Sequence, residues 1–232
     1  MSGLYTDLCT TKPDDMLATK VLAHGITHLT DARYFAAWEV DYLAFPLGNN
    51  TTPSIDWAYF EALREWVEGP VMVADLGAID EPESWTPHLA EHRLNHALVH
   101  HPAPADTANI FTQAGITLLL YLPIEGYHSI DDLEEALQVG ADAGAMVLDF
   151  EQGGITLADL EAGHPFGLPA LGNLLQQYPC LLQIDLGDVA PLALKETHGL
   201  LGYAVRGSSE EKVGYKSFDD LDVLFEGLEI LV

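Results

Sequence analysis

The stretch VLAHGITHLTDARYFAAWEVDYLAF (residues 21–45) contains a complete strand–helix–strand pattern. The apolar runs VLAHGI (21–26) and VDYLAF (40–45) have the length of buried strands, and the segment from Asp31 to Trp38 between them predicts a helix. Both runs are continuously apolar, which is typical of parallel strands that are covered on both faces of the sheet. This unit therefore predicts an α/β fold with a parallel sheet.

The same pattern recurs along the rest of the chain. The other predicted strands are PVMVADL (70–76), LNHALVH (94–100), ITLLLYL (116–122), GAMVLDF (144–150), CLLQIDL (180–186) and LLGYAV (200–205). Amphipathic segments follow them, and Ser129 with Asp132 and Ser217 with Asp220 indicate two helix starts. Eight such units in 232 residues fit a closed (β/α)8 TIM barrel better than an open, doubly wound sheet. We expect one barrel domain over residues 20–232, preceded by an N-terminal extension of residues 1–19.

The charge balance limits the classes of partner. The chain has 36 acidic residues against 9 Lys and Arg, a formal net charge of -27, and such a surface repels nucleic acids and anionic membranes. The excess of acids is interpreted either as a solubility feature or as adaptation to a saline cytoplasm. No apolar run reaches the ~20 residues of a membrane helix. With Cys9 and Cys180 as the only cysteines and no secretory pattern at the start, a reducing cytoplasm is the expected location.

Polar residues at the carboxyl ends of the predicted strands are the site candidates, because a TIM barrel carries its chemistry at that face. They are His24, Asp75, His100, His101, Tyr121, Asp149, Asp185 and the segment from Arg206 to Ser209. We interpret Asp75, His100 and His101 as a supporting polar cluster, and Tyr121 as core or pocket wall. The four-residue spacing of His88, His92, His96 and His100 would align them only on one continuous helix, so no metal and no cofactor are expected.

Three segments and one strand end share a recognisable pattern. The segments are GITHLTDARYFAAWEVDYLAF (25–45), AMVLDFEQGG (145–154) and GSSEEKVGYKSFDDLDVLFEGL (207–228), and the strand end is that of His100. Together they resemble phosphoribosylanthranilate isomerase, whose first unit reads roughly Cys-Gly-Ile-Thr, three residues, Asp-Ala. The family's later motifs are Leu-Leu-Asp…Gly-Gly, a Gln-Leu-His-Gly strand end, and a Ser-Ser-Gly-Val-Glu, Pro-Gly-x-Lys-Asp ending. The resemblance spans the chain from about residue 20 to its end.

The resemblance implies an Amadori-type isomerase of tryptophan synthesis, which uses a general base near C2 of the sugar and a general acid at the ring oxygen. Asp149 stands at the position of the family's acid, and His24 stands where the family has its catalytic Cys. Substrate or phosphate contacts are implied for His100, Gly153, Gly154, Asp185, Arg206, Gly207, Ser208 and Ser209. The implied partner is a small phosphorylated metabolite, with no nucleic acid and no membrane.

The sequence departs from the family pattern in three loops. His24 replaces the Cys, the loop PLGNNTTPSID (46–56) lacks the family's Arg, and Ile184-Asp185-Leu186 replaces a Gly-Gly-Leu phosphate loop. His24 is either a replacement base, since imidazole titrates near neutrality, or a histidine hydrogen-bonded at a strand end. Asp149 is either the acid or the cap of a turn.

Asp185 is the least expected of these residues, because a carboxylate repels phosphate oxygens. Arg206 is interpreted as offsetting that charge or as gripping the phosphate itself, while Gly207, Ser208 and Ser209 offer backbone donors of a phosphate cradle. The alternative is an ion pair between Arg206 and Asp185 that fills this cradle and closes it. Three functions follow: the isomerase itself, the same proton-transfer chemistry on another sugar phosphate, and a non-catalytic barrel that serves as a ligand sensor or an assembly subunit. The isomerase class is preferred, and no oligomeric state is predicted.

Overall fold

A closed ring of eight parallel strands forms the centre of the computed structural model, which describes residues 16–51, 53–207 and 218–230. The strands pair in chain order, and the last pairs with the first. They are β1 (Lys20–His24), β2 (Tyr42–Pro46), β3 (Val71–Gly77), β4 (His96–His100), β5 (Thr117–Pro123), β6 (Ala145–Asp149), β7 (Cys180–Gln183) and β8 (Gly202–Arg206). The predicted (β/α)8 TIM barrel is confirmed.

Helices surround this ring. Within the described residues they are α1 (Leu29–Ala37), α2 (Trp57–Arg64), α3 (Pro82–Glu91), α4 (Thr107–Gln113), α5 (Ile130–Val139), α6 (Leu157–Glu161), α7 (Leu168–Leu175), α8 (Pro191–His198) and α9 (Asp219–Glu226). The predicted capping box of Ser129 and Asp132 opens α5. In the described part of the chain, no helix is long and apolar enough to cross a bilayer.

Several predicted element boundaries were wrong for local reasons. The first strand ends at His24 because Gly25 has a φ of +68°, which breaks the extended backbone. The seventh strand ends at Gln183 and not at residue 186. Helix α6 was not predicted, although Thr156 and Asp159 form a capping box at its start. The predicted start of the last helix at Ser217 lies outside the described residues.

Two apolar layers hold the barrel together. The larger layer fills the space between the strands and the helices, and Phe35, Phe60, Phe111 and Phe225 are among its fully buried side chains. The smaller layer fills the inside of the ring. Its members are Leu22, Tyr42, Ala44, Val73, Leu98, Leu119, Tyr121, Ala145, Val147, Leu181 and Ala204. Because side chains alternate along a strand, these positions identify which residues of each strand face the interior.

The pairing of β1 with β8 closes the ring. Five residue pairs join the two strands, from Lys20 with Gly202 to His24 with Arg206. At Gly202 the strands come so close that an added Cβ would lie 1.9 Å from the carbonyl oxygen of Lys20. Beyond the ring, Ala18 N–H donates to the carbonyl of Leu228 (2.8 Å), so residues of the predicted extension pair with the chain after α9.

We expect Gly202→Ala to lower the free energy of unfolding by about 2–3 kcal/mol, because the methyl group forces β1 and β8 apart. Urea unfolding followed by circular dichroism measures the change. Gly167→Ala is the control, since its added Cβ meets only Pro169 Cδ at 3.6 Å, an ordinary contact. Equal stability of the two variants would show that the close approach at β1–β8 is not a constraint.

Candidate active site

The inner face of the barrel changes from apolar to polar at the carboxyl ends of the strands. In most strands, the residue two positions after an inward apolar residue is polar, and alternation turns it toward the interior. These residues are His24, Asp75, His100, Tyr121, Asp149, Gln183 and Arg206. We call this set the polar layer. It brings His24, Asp149 and Arg206, which the sequence assigned to one site, to the same mouth of the barrel.

His24 ends β1 as a buried side chain. Its Nε2 lies 2.6 Å from Oε1 of Gln183, which ends β7. Burial is the main cause that lowers the pKa of His24, and the charge of Arg206 lowers it further, whereas the Gln183 hydrogen bond and the charges of Asp75 and Asp149 oppose the shift. The imidazole is therefore favoured in its neutral form, which can accept a proton.

Asp149 ends β6 and is fully buried. Its carboxylate accepts hydrogen bonds from the Tyr121 hydroxyl, from Arg206 Nη2 at 2.9 Å, and from the backbone N–H of Gln152 at 3.0 Å. Burial, followed by the charge of Asp149, raises the pKa of the Tyr121 hydroxyl, so this group stays protonated as a donor. Tyr121 is therefore part of the polar layer as well as of the core to which it was assigned.

Arg206 reaches from β8 across the mouth to β6. Its side chain is 53% exposed, so it is accessible from solvent although Nη2 binds the buried carboxylate. Among the described residues the ion pair of Arg206 is with Asp149, so the predicted alternative of an Asp185–Arg206 pair is wrong. Asp185 lies past the end of β7, where its Oδ1 accepts the N–H of Gly187 at 2.9 Å.

A cavity of about 770 Å³ opens between the ends of β6, β7 and β8 and helix α9. Its walls include Gly154, Thr156, Asp185, Gly187 and Arg206. This is the position at which the resemblance implies a phosphate cradle.

The glycines and serines that were predicted to contact the phosphate differ in how open they are to a ligand. The N–H of Gly207 donates to the carbonyl of His24 at 2.8 Å, so it is used in strand pairing, contrary to the expectation that it serves a ligand. Gly153 packs against the chain just after β5, since an added Cβ would lie 2.2 Å from the carbonyl oxygen of Ile124. Gly154 lines the cavity with a φ of +66°. Ser208 and Ser209 lie outside the described residues.

The predicted cluster of Asp75, His100 and His101 separates into two parts. His100 Nε2 lies 3.1 Å from Asp75 Oδ1, an ion-pair distance without hydrogen-bond alignment, and the His100 ring packs on Tyr121 with a centroid separation of 4.4 Å. His101 instead lines a second cavity between β5 and α5. The histidines at 88, 92, 96 and 100 do not share a helix, and no metal-binding group of three side chains occurs among the described residues.

Two glutamines and one glutamate were missed as site residues. Gln183 binds His24, Gln152 Oε1 lies 3.0 Å from the Tyr121 hydroxyl, and Glu151 Oε2 accepts from Gln183 Nε2 at 2.9 Å. The available signal was the two-residue period from Leu181 to Gln183, which turns a polar side chain toward the interior of an otherwise apolar strand.

Cys180 does not replace the missing thiol of the family. It begins β7, so it lies at the end of the strand opposite the polar layer. Burial raises the pKa of its thiol to about 12, which leaves almost no thiolate at neutral pH.

Comparisons with known proteins agree with this geometry at the level of fold. No protein-family model matches the chain, and no curated protein is significantly similar to it. The phosphoribosylanthranilate isomerase of Thermotoga maritima superposes with a TM-score of 0.69 at 18% identity, over 90% of this chain and 98% of that one. The chain has the fold of the phosphoribosylanthranilate isomerases. The Thermus thermophilus isomerase gives 0.63 at 24% identity with the same coverage.

The chain is also similar in fold to an enzyme that is named for a different reaction. The 3-keto-L-gulonate-6-phosphate decarboxylase of Vibrio cholerae superposes with a TM-score of 0.54 at 14% identity, over 92% of this chain and 100% of that one. Because one barrel supports many reactions, the polar layer and not the fold has to identify the chemistry.

We expect the stability of the protein to fall as the pH drops below about 6.5, the ordinary value for histidine, because the unfolded chain then binds a proton that folded His24 does not. His24→Gln removes this contribution, at most about 1.4 kcal/mol per pH unit for one proton. Urea unfolding at pH 7.5 and 5.5 compares the two proteins, with His24→Gln set against the same change at exposed His88. An unchanged pH slope in His24→Gln would contradict the lowered pKa.

Proposed function

We propose that this protein is an acid/base isomerase of sugar phosphates, related in mechanism to phosphoribosylanthranilate isomerase. The observation that carries the proposal is the polar layer, in which a neutral imidazole and a hydrogen-bonded carboxylate occupy the same mouth. Moving a proton along a sugar chain needs one group that takes it from carbon and another that supplies it to oxygen. His24 and Asp149 have these two roles.

His24 acts as the base in this proposal. A histidine whose pKa is lowered by burial is unprotonated at neutral pH and accepts the proton from the sugar carbon. The resulting imidazolium lies near the carboxylates of Asp75 and Asp149, whose charges stabilise it. This arrangement replaces the thiol of the family with a group that titrates in the same range.

Asp149 supplies the acid, and Tyr121 holds it by a hydrogen bond. The hydroxyl proton of Tyr121 lies between the phenol oxygen and Asp149 Oδ2. In this step Asp149 enters as the carboxylic acid, and the proton that it gives to the ring oxygen of the substrate leaves a carboxylate that accepts from the Tyr121 hydroxyl and from Arg206. Arg206, whose Nη2 contacts Asp149 and Tyr121 at 2.9 and 3.2 Å, opposes the negative charge of this carboxylate electrostatically.

In this proposal the substrate phosphate binds in the cavity between β7, β8 and α9. The half-exposed Arg206 side chain has the guanidinium donors that suit a phosphate, and Gly154 allows a close backbone approach. The loop between β2 and α2 has no Arg to bind an aromatic carboxylate, so we favour a sugar phosphate that lacks this group over the anthranilate substrate. The same reasoning makes a small phosphorylated metabolite the proposed partner and tryptophan synthesis the less favoured pathway.

A non-catalytic barrel is the second candidate. The charges that line the cavity in the described residues are those of Glu151, Asp185 and Arg206, and Arg206 is already paired with Asp149. The two carboxylates oppose the binding of a phosphate, which favours a barrel that has lost the reaction and serves as a sensor of another ligand or as an assembly subunit. Binding separates the two ideas, because a ligand raises the melting temperature of the state that binds it.

We expect the protein to exchange the C2 proton of aldose phosphates for deuterium in D₂O, as followed by proton NMR. His24→Gln and Asp149→Asn should each slow the exchange by about 10²–10⁴-fold, because each removes one proton-transfer group. His96→Gln is the matched control, since His96 begins β4 at the opposite end of the barrel. Thermal stabilisation by sugar phosphates without any exchange would favour the non-catalytic barrel instead.

A further inference from the structure

A chain of two hydrogen bonds links His24 to solvent. His24 Nε2 lies 2.6 Å from Gln183 Oε1, and Gln183 Nε2 lies 2.9 Å from Glu151 Oε2. Gln183 is 1% exposed and His24 is 5% exposed, whereas Glu151 is at the surface. Water therefore competes little for the bond between the imidazole and the amide, and the charged end of the chain stays solvated.

The direction of each bond follows from what the end groups can do. A carboxylate oxygen only accepts hydrogen bonds, so the amide nitrogen of Gln183 has to face Glu151. The reverse amide orientation would bring two acceptor oxygens to 2.9 Å. With its nitrogen facing Glu151, Gln183 presents its oxygen to His24, and that oxygen also only accepts. His24 Nε2 therefore has to carry a hydrogen.

We propose that Glu151 and Gln183 are a positioning pair that holds neutral His24 in the tautomer with its proton on Nε2 and its lone pair on Nδ1. Only the use of this lone pair in catalysis rests on the proposed function. In that use, Nδ1 is the atom that takes the proton from the substrate carbon, and Nε2 keeps its own proton throughout.

The choice of an amide at position 183 has its own chemical reason. A carboxylate there would hold the same tautomer, but its charge would favour the imidazolium and so oppose the neutral base. An amide oxygen orients the ring without adding a charge. The charge of Glu151 is one hydrogen bond further from the imidazole, where it orients the amide of Gln183.

The first test reads the tautomer of His24 directly. Long-range ¹⁵N–¹H NMR of the full-length protein, without substrate and at a pH where His24 is neutral, distinguishes the protonated from the unprotonated ring nitrogen. We expect the Nε2–H tautomer in the wild type and a mixture of tautomers in Glu151→Ala, because the freed amide can then turn either way. Glu161→Ala, another exposed glutamate, should keep the wild-type spectrum.

An Nδ1–H tautomer in the wild type, or a wild-type spectrum in Glu151→Ala, would overturn the inference. Because Glu151 is exposed, this variant tests the pair without removing a buried side chain. The spectrum needs no turnover, so a protein without isomerase activity but with the expected tautomer would refute the proposed function and leave the positioning pair intact.

The second test exchanges the two side chains. In Glu151→Gln/Gln183→Glu, a carboxylate accepts from both His24 and the new amide, so the tautomer is kept while a charge moves next to the ring. The other groups that face His24 are unchanged: Arg206, Asp75, Asp149 and the Tyr121 ring. We expect the NMR titration of His24 and the acidic limb of the exchange rate to move to higher pH. No shift in the titration would contradict direct contact between residue 183 and the ring.

Discussion

Closure of the barrel by β1 and β8 is the constraint on which the candidate site depends. The pairing places His24 beside Arg206 and fixes which residues of both strands face the interior. A shift of one residue would turn every inward side chain of a strand outward. A shift would also place a residue with a side chain where Gly202 now contacts the backbone of Lys20, and there is no space for a Cβ at that position. The position of His24 relative to Asp149 is therefore a property of the backbone ring.

Much of this architecture could be predicted from the sequence because it depends on local patterns. Short apolar runs between amphipathic segments identify the strands, and the strand ends identify His24 and Asp149 as residues of one face. The position of Asp185 was predicted less well, because CLLQIDL reads as a continuous strand although β7 ends at Gln183. Asp185 lies beyond the strand, where its backbone forms an isolated bridge with Thr156 and its side chain accepts the N–H of Gly187.

The partners of the site residues could not be predicted because they depend on side-chain reach across the ring. Arg206 and Asp149 are on strands that do not pair with each other, so no sequence spacing indicates their contact. In the sequence, Gln183 is only a polar residue within an apolar run, and its role becomes visible once the structure places it beside His24. The link from Gln183 to Glu151 also needs the turn after β6, which the sequence describes only as glycine-rich.

The inside of the ring contains two sets of residues, the inner apolar layer and the polar layer. The apolar layer fills the inside of the ring, while the polar layer lies above it at the carboxyl ends of the strands. An evolving barrel of this kind can exchange a thiol for an imidazole, or an amide for a carboxylate, without repacking the side chains beneath. The reaction of such a barrel can thus change one strand end at a time, while the overall shape stays the same between chains of little sequence similarity.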